Sequence, residues 1–445
     1  MVYRQTQSHQ AVTQFTPPAF HARSWYQYEC GSSKKFQAIS ENLRCQTVIV
    51  GAGLAGLSTA VSLTERGQRD IVVLEQGQPG EGASGRNGGF VFGGFSLAPA
   101  QLARQVGVER AHALQAMTLE AVERVRMRCK RLGVPINEHG VLLADWFKQT
   151  RRLRQYAEQL QSKAGVQPIF LDSDEVQYHV RSKRYGAALM ESKAFHFNPL
   201  QYVRALSNWL IDQGVRIFGD SCVRSAKYDA GRWLVSTDQA SVSAEQFVLS
   251  SGGYGRSLMP AVQRSIQPIA TYIAVTEPLG SALDEVLPSK AAIYDNRFAF
   301  DYYRRVGGDR LLWGGRISIR DRYPKQIELL MRKDLKRVFP RLADCRFDFS
   351  WGGWMSYARH QMPILTEVEP GFWTAIAFGG HGMAPTTLAG EIMAEALSGN
   401  ADALQSFRRW QPVWAGGRIG RLIVQGDYYR RQMMDALRDA FSRRQ

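Results

Sequence analysis

The stretch that most limits how this chain can fold is 46–75. Val48, Ile49 and Val50 form a short apolar run that leads directly into Gly51, Gly53 and Gly56, spaced G-x-G-x-x-G. Apolar Leu54, Leu57, Val61 and Leu63 follow at helical intervals, and Gly67 stops the helix. A second apolar strand, Ile71–Leu74, finishes in Glu75, about 20 residues past the glycines. Strand, glycine turn, helix, strand and acid in this register predict a βαβ unit that binds an adenine dinucleotide. Gly51 makes the tight turn, Gly53 admits the backbone to a pyrophosphate, and Gly56 lets helix and strand close together. Leu54 and Ala55 open the helix, whose unpaired N–H groups and partial positive charge attract phosphate. Glu75, with Gln76 beside it, belongs at the adenosine ribose, where a carboxylate accepts hydroxyl protons and repels a 2′-phosphate.

Such a unit uses only a fraction of 445 residues, 44% of them hydrophobic, which is enough for two substantial cores. No uninterrupted run of about 18 apolar residues suggests a membrane span, and 1–38 lacks the apolar core of a secretory signal. Five scattered cysteines without ligand spacing (Cys30, Cys45, Cys129, Cys222, Cys345) predict free thiols in a cytoplasm and no metal site. The formal net charge of +16 suits anionic substrates, an acidic membrane surface or nucleic acid equally. Its arginines are scattered as pairs, 151–152, 304–305, 408–409 and 430–431, which reads as a solvated surface.

Along the chain, 1–40 reads as an extended arm with aromatic residues that can dock it, including Trp25 and Tyr26. Helical spacing appears at 108–134, 150–163, 199–213, 323–338 and 386–398. Short β-rich runs fill 215–251, ending in Ser250-Ser251-Gly252-Gly253, which predicts another parallel strand beside the nucleotide. Alternating aromatic segments at 266–318 predict an antiparallel sheet. The fold class is therefore α/β: a Rossmann-like dinucleotide fold plus an α+β unit with a mainly antiparallel sheet.

Three further blocks join the glycine turn: Ala83-Ser84-Gly85-Arg86-Asn87-Gly88-Gly89, Asp301-Tyr302-Tyr303-Arg304 with Leu311-Leu312-Trp313-Gly314-Gly315, and Phe378-Gly379-Gly380-His381-Gly382-Met383. In this order the chain resembles the D-amino-acid oxidase superfamily of FAD enzymes, most of all its gamma-glutamylputrescine oxidase and glycine–sarcosine oxidase branches. The resemblance covers about 40–415. It implies a discontinuous architecture: an arm at 1–40, FAD-binding segments at 41–98, 195–264 and 359–415, substrate-domain segments at 99–194 and 265–358, and a basic helical tail at 416–445. It also implies that Ser84, Gly85, Arg86, Asn87, Gly88 and Gly89 hold the pyrophosphate and the flavin edge. Val223 and Gly252 would lie near the adenosine half. Gly379, Gly380, Gly382 and Met383 would pass the flavin pyrimidine ring. Trp354 stands where covalent relatives carry a cysteine, so FAD is expected to be non-covalent.

The activity so implied is oxidation of an amine or amino acid, with hydride leaving the α-carbon for flavin N5, the imine hydrolysing, and O2 reoxidising the flavin. His381 is the candidate to position substrate or polarise the flavin, the alternative being a histidine that structures its own turn. Tyr302 is preferred over Tyr303 to face the flavin, because neighbours on a strand point to opposite sides. Arg297 and Arg316 are candidates for a substrate carboxylate, Trp354 for lining the substrate site. Ala358-Arg359-His360-Gln361 precedes Met362-Pro363 where relatives often carry an acid, which tilts the reading away from a polyamine and toward a carboxylate-bearing amine or cyclic amino acid. The main alternative is a dehydrogenase in peripheral contact with a membrane, passing electrons to quinone. It is suggested by apolar residues that alternate with arginines at 419–441. A nucleic-acid partner is not expected, since no RNA-binding motif stands out.

Overall fold

Strand Leu43–Val50 ends at Gly51, helix Leu54–Glu65 follows, and strand Ile71–Leu74 returns parallel to the first with Val48 opposite Val72. The computed structural model describes residues 22–255 and 258–442. Every residue from Leu54 to Thr64 is buried. The helix is covered by helices Pro199–Asp212 and Met383–Leu397, so its small residues serve close packing rather than solvent contact.

An eight-stranded sheet grows around this unit from distant stretches of chain. Parallel strands Arg216–Phe218, Ile71–Leu74, Leu43–Val50, Ser241–Leu249 and Phe372–Ile376 form its centre. Both faces of these strands are covered, which is why they read as continuous apolar runs. Strands Ser225–Asp229, Arg232–Ser236 and Ile364–Glu369 add antiparallel edges.

The second eight-stranded sheet runs in the order Phe347–Ala358, Ile266–Thr276, Arg310–Ser318, Asp301–Val306, Ala292–Asp295, Val141–Ala144, Ala188–Glu191, Ile169–Leu171. Only Ala292–Asp295 and Val141–Ala144 pair in parallel. Strand alternation gives this sheet two characters. On one face Tyr303 stacks on Trp313 at 4.6 Å inside an apolar core, and on the other Tyr302 looks into a cleft. The architecture is thus α/β, with a parallel-rich sheet and a mainly antiparallel one, as the sequence predicts.

Several expectations need adjustment. Helix Val108–Arg131 falls in a stretch assigned to the substrate side, yet its Leu114, Val122 and Val125 are buried in the core that holds Leu57 and Val61. Arg304, counted among surface charges, is internal and 4% exposed. The arm docks through a short helix, Trp25–Glu29, whose Trp25 and Tyr26 are buried; the expectation for residues 1–21 lies outside the described residues. Helix Gly417–Ser442 rests one side on the second sheet, where the Ile319 N–H donates to Gln425 Oε1 at 3.0 Å and Phe298 N–H to Asp435 Oδ2 at 2.9 Å. Its other side leaves Ile419, Leu422, Ile423, Met433, Leu437 and Phe441 more than half exposed. Among the described residues no helix is long and apolar enough to cross a membrane.

Candidate active site

One cavity of about 2520 Å³ runs from Ser221–Lys227, past the glycine turn, to the inner face of the antiparallel sheet. That exceeds the roughly 300–1,000 Å³ of a pocket for one small ligand. It suits a dinucleotide and a substrate end to end.

At one end Glu75 lies at the tip of its strand. The Ala52 N–H donates to Oε2 at 2.8 Å and the Gly77 N–H to Oε1 at 3.3 Å. Burial raises the carboxyl pKa, and these N–H groups oppose the rise. Each oxygen keeps acceptor capacity for a hydroxyl. Gln76, Val223 and Gly252 line the same end. At the turn, the Leu54 N–H donates to Ser84 Oγ at 2.8 Å, and Gly53 supplies no side-chain cap. The first helical turn therefore keeps N–H groups for an anion. Arg86 lines the cavity 6% exposed, its Nε donating to the Glu81 carbonyl at 2.8 Å, with no carboxylate paired to it among the described residues. Uncapped helix start, unpaired arginine and a buried carboxylate at the strand tip fit the diphosphate and ribose of an adenine dinucleotide. Gly56 and Gly85 do not line the cavity. They sit behind it, and a Cβ on either would overlap a backbone carbonyl of the turn beside it.

Toward the other end the 83–89 loop is fastened from three sides. Asn87 Nδ2 donates to the Ala83 and Ser84 carbonyls, and its Oδ1 accepts from the Gly89 N–H. Tyr26 from the arm donates its hydroxyl to the Asn87 carbonyl at 2.8 Å. Arg304 donates Nε to the Gly88 carbonyl at 2.7 Å and Nη2 to the Tyr26 hydroxyl at 3.1 Å. Trp351 donates its indole N–H to the Arg86 carbonyl at 2.9 Å. The loop is preorganised before any ligand arrives.

Tyr302 lies across Gly314, where a Cβ would overlap its ring, and against Phe90 with 5.6 Å between ring centroids. Only glycine at 314 leaves room for that aromatic floor. Burial holds the Tyr302 hydroxyl pKa above its usual value, so it is a neutral donor. Opposite, Ser96 Oγ donates to the Phe378 carbonyl at 3.1 Å and accepts from the Gly380 N–H at 3.0 Å. That clamp presents Gly379, Gly380, His381 and Gly382 to the cavity just before helix Met383–Leu397 begins. His381 meets Phe92 edge-on at 5.0 Å, and burial lowers its pKa to about 4.

Two sequence-based candidates are not placed as expected. Arg297 is held by Asp295 at 2.7 and 2.6 Å and by Asp301 at 2.5 Å, and it stacks on Trp146. Arg316 is bidentate to Asp334 at 2.7 and 2.6 Å. Both guanidinium groups border the cavity with their charge already matched, so neither is a free carboxylate receptor. Trp354 borders the cavity as expected, but it is only 5% exposed and packs into the core with Tyr303 and Trp313. Sequence reading missed Phe92, Ser96, Tyr156, Thr271, Tyr294, Met355 and Tyr357, which all line the cavity. Period-2 alternation from Tyr302 was the one available signal, and it does not reveal which strands lie next to it.

The profile of the DAO family, described as FAD dependent oxidoreductase, matches residues 46–396. The chain is 31% identical over 416 residues to Probable oxidoreductase OrdL of Haemophilus influenzae, covering 90% of this chain and 94% of that one. It is 29% identical over 407 residues to the gamma-glutamylputrescine oxidoreductase of Escherichia coli, covering 90% and 95%. Among solved structures, glycine oxidase from Geobacillus kaustophilus superposes with TM-score 0.69 at 18% identity, covering 84% of this chain and 99% of that one. L-proline dehydrogenase from P. horikoshii superposes with TM-score 0.68 at 16% identity, covering 84% and 100%.

Proposed function

Because the chain belongs to the DAO family of FAD-dependent oxidoreductases and is an enzyme acting on amines or amino acids, we propose that it oxidises the C–N bond of a small amine with O2 as final acceptor. The observation that carries this reading is a single cavity joining a dinucleotide turn to an aromatic chamber floored by Tyr302 and bordered by His381. Gly51–Ala55, Glu75, the 83–89 loop and Gly379–Met383 would hold FAD without a covalent bond, and FAD would supply the two-electron acceptor for oxidation of the amine to a hydrolysable imine. The protein's part is orientation and field. Tyr302 and Phe90 form a rigid apolar floor that keeps water from the reacting carbon. The N-terminus of Met383–Leu397 and the clamped Gly380 segment direct positive partial charge into the cleft, where reduction would build negative charge. His381, neutral above about pH 5 because burial disfavours imidazolium, can accept a hydrogen bond from the arriving substrate nitrogen and so position it.

The test is anaerobic bleaching of the purified yellow protein by a panel of amines and amino acids, followed by aerobic turnover. One compound that bleaches the flavin and then yields hydrogen peroxide supports the oxidase. A panel that leaves the colour untouched overturns it. His381→Ala is expected to slow bleaching about tenfold, the effect of one lost hydrogen bond to the substrate, with FAD content unchanged. The wild-type rate should show no His381 inflection between about pH 5.5 and 8.5, since its pKa is pushed down to about 4. Bleaching kinetics equal to wild type in the alanine variant would leave His381 as a turn-forming residue. The exposed apolar row on Gly417–Ser442, interleaved with Arg418, Arg421, Arg430 and Arg431, favours one second reading, a membrane-surface dehydrogenase that reduces quinone. Turnover without peroxide, together with sedimentation on anionic vesicles, would select it.

A further inference from the structure

The inner face of the antiparallel sheet continues beyond the chamber. Register places Tyr302 opposite Tyr294, Tyr294 opposite Leu143, and Leu143 opposite Leu189, so the four side chains share one face. Glu191 lies two residues past Leu189 on that strand and therefore on the same face. There a recess of about 80 Å³ opens, bordered by Glu191, Tyr156, Tyr294, Phe92 and His381. The last four also border the main cavity, which makes the recess a side chamber of it. Stacked rings lead between them: Tyr294 lies parallel to Phe92 at 5.9 Å, and Phe92 meets His381 edge-on at 5.0 Å.

Glu191 is the one carboxylate that borders this recess among the described residues. Its carboxylate has neither an ion pair nor a hydrogen bond among the described residues, and burial alone raises its pKa to about 7. Its charge raises the pKa of both the Tyr156 and Tyr294 hydroxyls, so it lies near both. Lys163 also borders the recess without pairing to it. A half-buried carboxylate without a partner gains from a cation that meets it, and tyrosine faces attract the same kind of group. The contrast with Arg297 and Arg316 is chemical: the arginines first matched to a substrate carboxylate are already paired, while an acid stands open. The exposed Arg359, which argued against a polyamine in the sequence, lies on a different part of the cavity wall.

We propose that Glu191, with Tyr156 and Tyr294, forms a subsite for a second cationic group of the substrate, distal to the C–N bond that is oxidised, so that the preferred substrates carry two amino groups. This rests on the amine-oxidoreductase reading above. Glu191 acts here as a specificity residue, remote from the reacting bond.

The test uses the FAD-loaded enzyme and binding as well as turnover. 1,4-Diaminobutane, 1,5-diaminopentane and 1,6-diaminohexane are each compared with the monoamine of equal length, reading Kd from perturbation of the flavin spectrum and the rate from anaerobic bleaching. Wild type should bind at least one diamine about tenfold more tightly than its monoamine, as expected for a charge-assisted contact. In Glu191→Gln that ratio should fall to about twofold or less. If wild type shows no preference for any diamine, or the glutamine variant keeps it, the proposal is overturned. Should the glutamine variant lose FAD, Glu191→Asp retains the charge one methylene further back, and its preference should move to the longer diamine; an unmoved length preference overturns the proposal. Binding preference without bleaching by any amine would instead refute the reaction and leave the subsite standing.

Discussion

Gly56→Ala is expected to yield a polypeptide that purifies almost free of FAD. A Cβ at 56 would overlap the carbonyl oxygen of Gly51 and come within 3.2 Å of Ile49 Cγ2. Neither neighbour is the free end of a flexible side chain. The carbonyl belongs to the turn that receives the diphosphate, and a Cβ on Gly51 itself would stand 2.7 Å from the Ser250 carbonyl, so the turn cannot retreat into the sheet. Relief must come from helix Leu54–Glu65 lifting away, which carries its N-terminal N–H groups off the ligand. Overpacking of this kind costs about 1–3 kcal/mol, and the misplaced anion site adds to it. The ratio of absorbance at 450 to 280 nm, followed by titration with added FAD, should show at least about a tenfold loss of affinity, equivalent to about 1.4 kcal/mol. Wild-type colour and affinity would remove the turn from the cofactor site.

Arg297→Ala is expected to unfold the protein more readily rather than to alter its substrate range. The guanidinium stands between Asp295 and Asp301, both almost wholly buried, and covers the face of Trp146. Removing it leaves two carboxylates in low dielectric without a cation, a change that costs about 3–5 kcal/mol in comparable buried pairs. A chemical-denaturation midpoint is the direct measure. Lysine should rescue only in part, because one ammonium cannot reproduce the fork that reaches both acids. An unchanged midpoint with a raised KM for amines bearing a carboxylate would instead restore Arg297 to the substrate site.

Arg297 also shows why some of the site was legible and some was not. The glycine turn, Glu75 and the two strands around them were readable because the unit's own contacts, Val48 opposite Val72 and the Ala52 N–H on Glu75, join residues close in sequence and follow from helix and strand periodicity. Tyr302 was half-readable: alternation says that it and Tyr303 face opposite ways, but only the stack of Tyr303 on Trp313 shows which side is core. Arg316 looked like an available guanidinium because its partner, Asp334, sits on a helix 18 residues further along. Trp354 was placed by likeness to relatives; it does border the cavity, with its ring packed into the core of the antiparallel sheet.

From residues alone one can establish an adenine-dinucleotide unit and an α/β chain with a second, antiparallel sheet, since local periodicity and glycine sterics carry that information. Which charges are matched and which stand open was decided only by three-dimensional packing. Ion pairing depends on neighbours that strand order and helix docking bring together from far along the chain. That is why two arginines prominent in the sequence turn out to be spoken for, and why Glu191, inconspicuous there, is a carboxylate left without a partner in the recess beside the cleft.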